Sequence, residues 1–189
     1  MYYGNLVKLR PIEVDDLDIL MKFVNNIETR RYLGGLLPNS RKSEQEWLEK
    51  VTTADPWKDG QLVLAIEDKK TGEFLGTISL FGISKQNRHA EFGIAIWNSD
   101  AQDKGFGTDA TTTMLWVGFH VLGLNNINLY VHGENTRAQR VYEKVGFKKI
   151  GVYREMVFSM GKFHDHIAMD ILRSEFLERY PPGSLSGTP

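Results

Sequence analysis

The chain has 189 residues, 41% of them hydrophobic and 25% charged, which suits one α/β domain with a buried core. Its 23 Lys and Arg against 24 Asp and Glu leave a formal net charge of -1, so no electrostatic footprint for nucleic acid stands out. Cysteine is absent, which excludes thiol nucleophiles, disulfides and cysteine zinc sites. That absence fits a cytoplasmic protein; the opening Met1–Lys8 lacks the apolar core of a leader peptide, and no apolar run reaches the roughly 20 residues of a membrane-spanning helix.

Leu6 to Arg10 reads as a first strand, stopped by Pro11. Asp15 and Asp16 suit a helix start; Leu17, Leu20, Val24 and Ile27 follow at helical spacing, and Gly34–Gly35 ends the element. Ser43 and Glu46 have the spacing of a capping box ahead of Trp47 and Leu48, which predicts a second helix closed by Pro56 and Gly60. Gln61–Glu67 and Glu73–Phe81 flank the turn cluster Asp68–Gly72 and predict a hairpin. Glu91–Trp97 is the next strand, and Thr108–Leu122 a third helix with Gly123 just past its end. Ile127–His132 is a strand, and Thr136–Val145 a helix ended by Gly146. Ile150–Ser159 and Asp165–Leu172 form a second hairpin around Met160–Gly161–Lys162, and Ser174–Tyr180 a short last helix. The order is βααββ, then βαβαββ, with no repeat and no linker. One domain over 1–180 is expected, followed by a disordered tail over 181–189.

The stretch Gln102-Asp103-Lys104-Gly105-Phe106-Gly107-Thr108 joins an apolar strand to an apolar helix. Its two glycines let the backbone approach a ligand closely. The helix that follows offers unpaired N–H groups and the positive end of its dipole, which suits phosphate. Lys104 adds a cation. Gly105 to Ala110 also fits the G-x-G-x-x-A pattern of dinucleotide sites. That fold needs the first glycine directly after its strand and several βαβ units beyond it. Here seven residues, Asn98–Lys104, intervene, and one βα passage follows. A phosphate cradle of another kind, or a plain helix-starting turn, is left.

Gln102-x-x-Gly105-x-Gly107 resembles the pyrophosphate loop of the GNAT superfamily of N-acetyltransferases. Asn135–Phe147 resembles the same family's N-x-x-A-x-x-x-Y-x-K-x-G-F block, as Asn135, Ala138, Tyr142, Lys144, Gly146 and Phe147. Val7–Pro11 with Asp15–Asp16 resembles the branch holding ribosomal-protein alanine and polyamine N-acetyltransferases. The resemblance implies an α/β (α+β) fold: a mixed, mostly antiparallel sheet of about seven strands, splayed between 91–97 and 127–132 and flanked by about four helices. It also implies acetyl-CoA as co-substrate and direct transfer of the acetyl group to a primary amine; no metal is expected. A protein N-terminus is favoured as acceptor, with a polyamine or another small amine as alternatives. A non-catalytic acyl-CoA-binding module is the rival reading, and relatives often form homodimers.

Carried onto this chain, the resemblance assigns Gln102, Asp103, Lys104, Gly105, Phe106, Gly107 and Thr108 to the pyrophosphate, with Phe106 packing rather than binding. Ile94, Ala95 and Ile96 are expected to pair with the pantetheine arm. Strand alternation sends Phe92, Ile94 and Ile96 to the core and Glu91, Gly93, Ala95 and Trp97 to the other face. Glu91 matches the position of the base in relatives; the alternative is a solvated or Arg88-paired carboxylate. Asn135, Ala138 and Tyr142 share one face of their helix, with Tyr142 as the acid that protonates the departing thiolate. Asn135 can serve the pantetheine, cap its helix, or both. His164 and His166 share a strand face, but a third placed ligand is missing, and His89, His120 and His132 show no spacing signal. Glu13, Asp15, Asp16 and Asp18 read as helix-start charge, with amine recognition as the alternative. The acceptor is expected between the Leu33–Lys42 connection and the turn at Met160–Asp165.

Overall fold

Eight strands form one sheet: β1 (Tyr2–Tyr3), β2 (Val7–Pro11), β3 (Gln61–Asp68), β4 (Phe74–Ser84), β5 (His89–Ile96), β6 (Asn126–His132), β7 (Lys148–Ser159) and β8 (Lys162–Leu172). Their order across it is β1-β2-β3-β4-β5-β6-β8-β7. The structure is a computed structural model and describes residues 1–33, 36–97, 101–181 and 183. The expected glycine stop at Gly34–Gly35 and most of the expected tail lie outside the described residues. The helices are α1 (Leu17–Met21), α2 (Ile27–Arg30), α3 (Arg41–Thr52), α4 (Phe106–Trp116), α5 (Thr136–Val145) and α6 (Arg173–Arg179). The two-residue β1 and the short α2 and α6 account for the excess over the expected counts.

The sheet forks at its centre. β5 and β6 are parallel and pair only at His89–Asn126, Ala90–Ile127 and Glu91–Asn128. Beyond that point β5 stays bonded to β4 as far as Ile96, and β6 stays bonded to β8 as far as His132. Each half-sheet is thus continuous while the gap between them opens. Unpaired backbone inside a protein is costly, so such a gap needs a partner for its amides and carbonyls.

One core cluster packs α4, α5 and α6 against one face of the sheet through Met114, Leu115, Val145, Phe176 and the strand residues Phe92, Ile127 and Leu129. A second cluster packs α1 and α3 on the opposite face through Leu17, Leu20, Leu48 and Val51 against Ala65 and Phe74. That opposite face carries Glu91, Asn128, Tyr130, His132, His164 and His166 farther along the sheet, by strand alternation and register.

Helix α4 is apolar almost all round and buries three consecutive threonines. Each hydroxyl bonds back to the carbonyl four residues earlier: Thr111 to Gly107 at 2.7 Å, Thr112 to Thr108 at 2.9 Å and Thr113 to Asp109 at 2.8 Å. The helix continues as a π-helical turn over Val117–Val121. A side chain at Gly118 would meet Ile127 Cδ1 at 2.6 Å, so this glycine sets how closely the turn lies on β6.

Two local readings need correction. The predicted helix from Leu17 through Ile27 is broken after α1. Asn26 caps α2 by accepting from Thr29 N at 3.2 Å. Asn25 exchanges two hydrogen bonds with the Asn39 backbone, at 3.0 and 2.8 Å. Adjacent asparagines thus offer the chain an alternative to helix continuation. The cap of α3 is Ser40, which accepts from Ser43 N at 3.1 Å; Ser43 is already inside the helix.

Candidate active site

The loop ahead of α4 is built to leave its amides free. Gly105 is the N-cap, at φ 90°, and no side chain caps the helix. The first intrahelical bond runs from Asp109 N to Gly105 O at 3.0 Å. The N–H groups of Phe106, Gly107 and Thr108 precede it and have no helical partner. A Cβ added at Gly107 would meet no atom within 4 Å, so open space lies over these amides. Asp103, at φ 59°, and Lys104 are exposed, while Phe106 leans on the core as expected. Gln102 accepts a hydrogen bond from Arg137 in the first turn of α5. Arg137 thereby bridges the starts of the two helices, a role its place inside the Asn135–Phe147 block does not by itself reveal.

Asp109 is another residue that sequence reasoning passed over. Its carboxylate accepts from the backbone N–H groups of Asn5, Leu6 and Val7 at 3.0, 2.7 and 2.9 Å. It locks the turn between β1 and β2 onto the first turn of α4.

At the fork, Phe92 is the first β5 residue past the last pair with β6. The Tyr142 ring meets it edge-on at 6.0 Å and lies 5.8 Å from Phe147. Tyr142 is only 8% exposed, and burial pushes its phenol up to about 12. Its hydroxyl makes no hydrogen bond among the described residues, so the group is a neutral donor without a partner. Asn135 caps α5 by accepting from Ala138 N at 3.1 Å, which shows the capping role. Ile94, Ala95 and Ile96 are half-buried along the open side of β5, and Ala138 packs at the core margin.

Glu91 stands at the crotch of the fork, in register with Phe81 and Asn128. It is half-buried, and burial pushes its carboxyl above the ordinary range. It has no ion pair among the described residues. The alternative partner, Arg88, lies over the Trp57 ring at 5.3 Å instead. On the same face Tyr130 meets Tyr153, with ring centroids 5.4 Å apart. A hydrogen bond shared with Tyr153, and then burial, raise the Tyr130 phenol.

Past the end of β5 lies a cavity of about 350 Å³, lined by Trp47, Trp97, Glu44, Asn39, Arg30 and Leu33 among others. Glu44 is 7% exposed and accepts from Asn39 Nδ2 at 3.0 Å. The buried Trp97 Nε1–H has no partner among the described residues, while Arg30 Nη1 is held by the Leu37 carbonyl at 2.9 Å. The Leu33–Lys42 connection thus borders the cavity. The turn at Met160–Asp165 is not part of its wall; it brings His164 to His132, with rings 4.5 Å apart, and Tyr32 meets His132 from the other side at 5.2 Å. Burial, with the neighbouring His164 and Arg31 charges, lowers His132; burial and His132 lower His166. Two of the four acidic residues at the start of α1 are held by arginines. Asp16 is bound by Arg10, and Asp18 pairs with Arg41 at 2.5 Å.

Residues 7–148 match the family described as acetyltransferase (GNAT) domain. The chain belongs to the GNAT acetyltransferase family. It is 31% identical over 178 residues to spermidine N(1)-acetyltransferase of Escherichia coli (strain K12), covering 94% of this chain and 92% of that protein. It is 29% identical over 166 residues to the uncharacterized N-acetyltransferase YoaA of Bacillus subtilis (strain 168), covering 87% and 92%. Among solved structures it resembles Vibrio cholerae spermidine N-acetyltransferase in complex with CoA and spermine, with a TM-score of 0.83, 29% identity, and 92% and 99% coverage. This GNAT chain is an acetyl-CoA-dependent N-acetyltransferase, with acetyl-CoA as its co-substrate. The free amides at 106–108, the open space over Gly107 and the unpaired edge of β5 fit such a molecule. No helix among the described residues is long and apolar enough to cross a membrane.

Proposed function

We propose that this GNAT enzyme acetylates a polyamine, with Glu91 as the base and Tyr142 as the acid. The observation that carries the acceptor reading is the cavity beyond β5, where a buried carboxylate, Glu44, stands with two indoles, Trp47 and Trp97. Carboxylates and indole faces both attract alkylammonium groups. The full-length likeness to proteins named as spermidine acetyltransferases supports the same class. It moves the reading away from the protein N-terminus that the sequence favours.

The chemistry follows from the two unpartnered groups. Glu91 takes one proton from the ammonium, directly or through water, and its raised position makes it a better base than an exposed glutamate. The freed nitrogen attacks the thioester carbonyl, the carbon–sulfur bond breaks, and the second amine proton leaves to solvent. Tyr142 donates its hydrogen to the sulfur as charge develops there. With the phenol at about 12 and a thiol reference near 8.5, complete transfer is uphill. Tyr142 therefore acts chiefly as a fixed donor that stabilises the departing thiolate, which then takes a proton from solvent. Phe106, Gly107 and Thr108 hold the pyrophosphate with their amides, Lys104 and Asp103 flank it, and the backbone of Ile94, Ala95 and Ile96 pairs with the pantetheine beside Ala138 and the capped Asn135.

Thiol release from acetyl-CoA with spermidine, spermine and peptides carrying Ala or Ser N-termini tests the acceptor. Spermidine should exceed the peptides in kcat/KM by about tenfold or more, a difference of about 1.4 kcal/mol in barrier. Faster release with a peptide transfers the assignment to protein N-termini.

We also infer a homodimer through the β7–β8 hairpin. β7 is an edge strand, and Ile150, Val152, Met156 and Phe158 on it are exposed. Sedimentation at a single-chain mass across the micromolar range would remove that assignment.

A further inference from the structure

We propose that His132, Glu134 and His164 form a site for one divalent transition-metal ion of the zinc class. Ligand atoms of these three residues all lie within 4.8 Å of one another. His164 Nδ1 stands 3.4 Å from Glu134 Oε1. Two ligands about 2.0–2.2 Å from a tetrahedral zinc are separated by about that distance. His164 Nε2 faces the Ser159 carbonyl oxygen at 3.1 Å, which places the ring hydrogen there and leaves Nδ1 its lone pair. An imidazole whose second nitrogen donates to a carbonyl is the usual arrangement of a metal-bound histidine. His132 Nδ1 accepts the Glu134 N–H across 3.3 Å, a long bond that an ion bound at this nitrogen would displace.

The scaffold around these atoms is fixed rather than loose. The β6–β8 register sets His132 opposite His166, with His164 two residues farther along the same face. Gly133 N donates to Asp165 O at 2.8 Å, and a side chain there would meet that oxygen at 3.1 Å. Gln139 of α5 donates to the Gly133 carbonyl at 2.9 Å and to the His132 carbonyl at 3.3 Å. His132 is held between Tyr32 and His164. Arg31, whose guanidinium lies over Tyr32 at 5.5 Å, is a cation whose charge reaches His132.

Two imidazoles and one carboxylate select zinc-like ions over magnesium or calcium, which take oxygen ligands. Three protein ligands leave a fourth position for water or for His166, whose ring is 6.1 Å from His132. A bound ion would tie the β6–α5 turn to the β7–β8 hairpin. Since α5 carries Asn135 and Tyr142, the ion would brace one wall of the fork. The site stands independently of the acceptor assignment.

The test is zinc titration of tag-free, chelator-treated protein against a zinc indicator dye, with thermal unfolding followed in parallel. One ion per chain should bind and raise Tm, and magnesium at equal concentration should do neither. His164→Gln and Glu134→Gln should each weaken zinc binding about hundredfold or more while leaving the metal-free Tm and circular dichroism close to wild type. His89→Gln, at the opposite end of the fork strands, should bind as wild type does. Failure to bind micromolar zinc, equal responses to zinc and magnesium, or unchanged affinity in His164→Gln each overturns the assignment.

Discussion

Arg10, Asp16 and Glu67 at one end of the sheet, and Glu91 and Tyr142 at the fork, are ionisable groups withdrawn from water by the same fold under opposite terms. Arg10 grips Asp16 with two nitrogens, at 2.8 and 2.7 Å, and reaches Glu67 with a third. Lys8 adds a second cation to Glu67, and Asp16 also accepts Glu13 N at 2.9 Å. Burial, the largest single effect, would raise both carboxyls, yet the hydrogen bonds and charges of Arg10, with Glu13 N at Asp16 and Lys8 at Glu67, together outweigh it and hold them below their ordinary values. At the fork burial acts without a partner, and both Glu91 and Tyr142 go up. Paired burial makes a brace that holds β2, β3 and the start of α1 together. Unpaired burial leaves groups whose protons are available for chemistry.

Tyr142→Phe is the sharpest challenge to that contrast. It should lower kcat about a hundred- to a thousandfold, by loss of an acid that acts only on the leaving thiolate, with acetyl-CoA affinity nearly unchanged. Retention of wild-type kcat would make the buried phenol a packing residue like Phe92. Arg10→Met should instead leave kcat per folded molecule alone and cost about 3 kcal/mol in urea unfolding, because buried Asp16 loses its cation and buried Glu67 keeps only Lys8. The pH dependence carries the sign. Both carboxyls are depressed in the folded state, so their contribution is full above the unfolded values near 4 and fades as pH falls through the lower folded values. The variant should lose much of this acid-dependent slope; an unchanged slope would show the brace to be idle.

Gly107→Trp fills the open space over the loop amides and should weaken acetyl-CoA about a hundredfold, equivalent to about 2.7 kcal/mol, by calorimetry. Wild-type affinity there would move the pyrophosphate off this loop. Glu91→Gln carries the smallest effect, about tenfold in kcat/KM near neutral pH. The deficit should shrink as pH approaches the amine's own value near 10, where deprotonation needs no base. A pH–rate profile parallel to wild type would place the base elsewhere.

Local signals were readable from the amino acids alone because they depend on neighbours a few residues away. The cap at Asn135 and the stop at Gly146 (φ 123°) delimit α5 as expected, Thr136–Val145. The glycines at 105 and 107 mark the start of α4, and alternation separates Phe92 from Glu91. Where two local signals compete, the same reasoning fails. The apolar period through Val24 and Ile27 favours one helix, but Asn25 and Asn26 bind elsewhere and break it. The sequence by itself therefore determined most of the elements and the glycine-marked start of α4. Only tertiary structure decided that β5 and β6 part after three pairs, that Trp47, Trp97 and Glu44 enclose one cavity, that Asp109 locks the chain's opening turn, and that His132 and Glu134 meet His164. Those outcomes depend on strand register and helix docking between residues far apart in the chain, and spacing along the sequence carries no record of such distances.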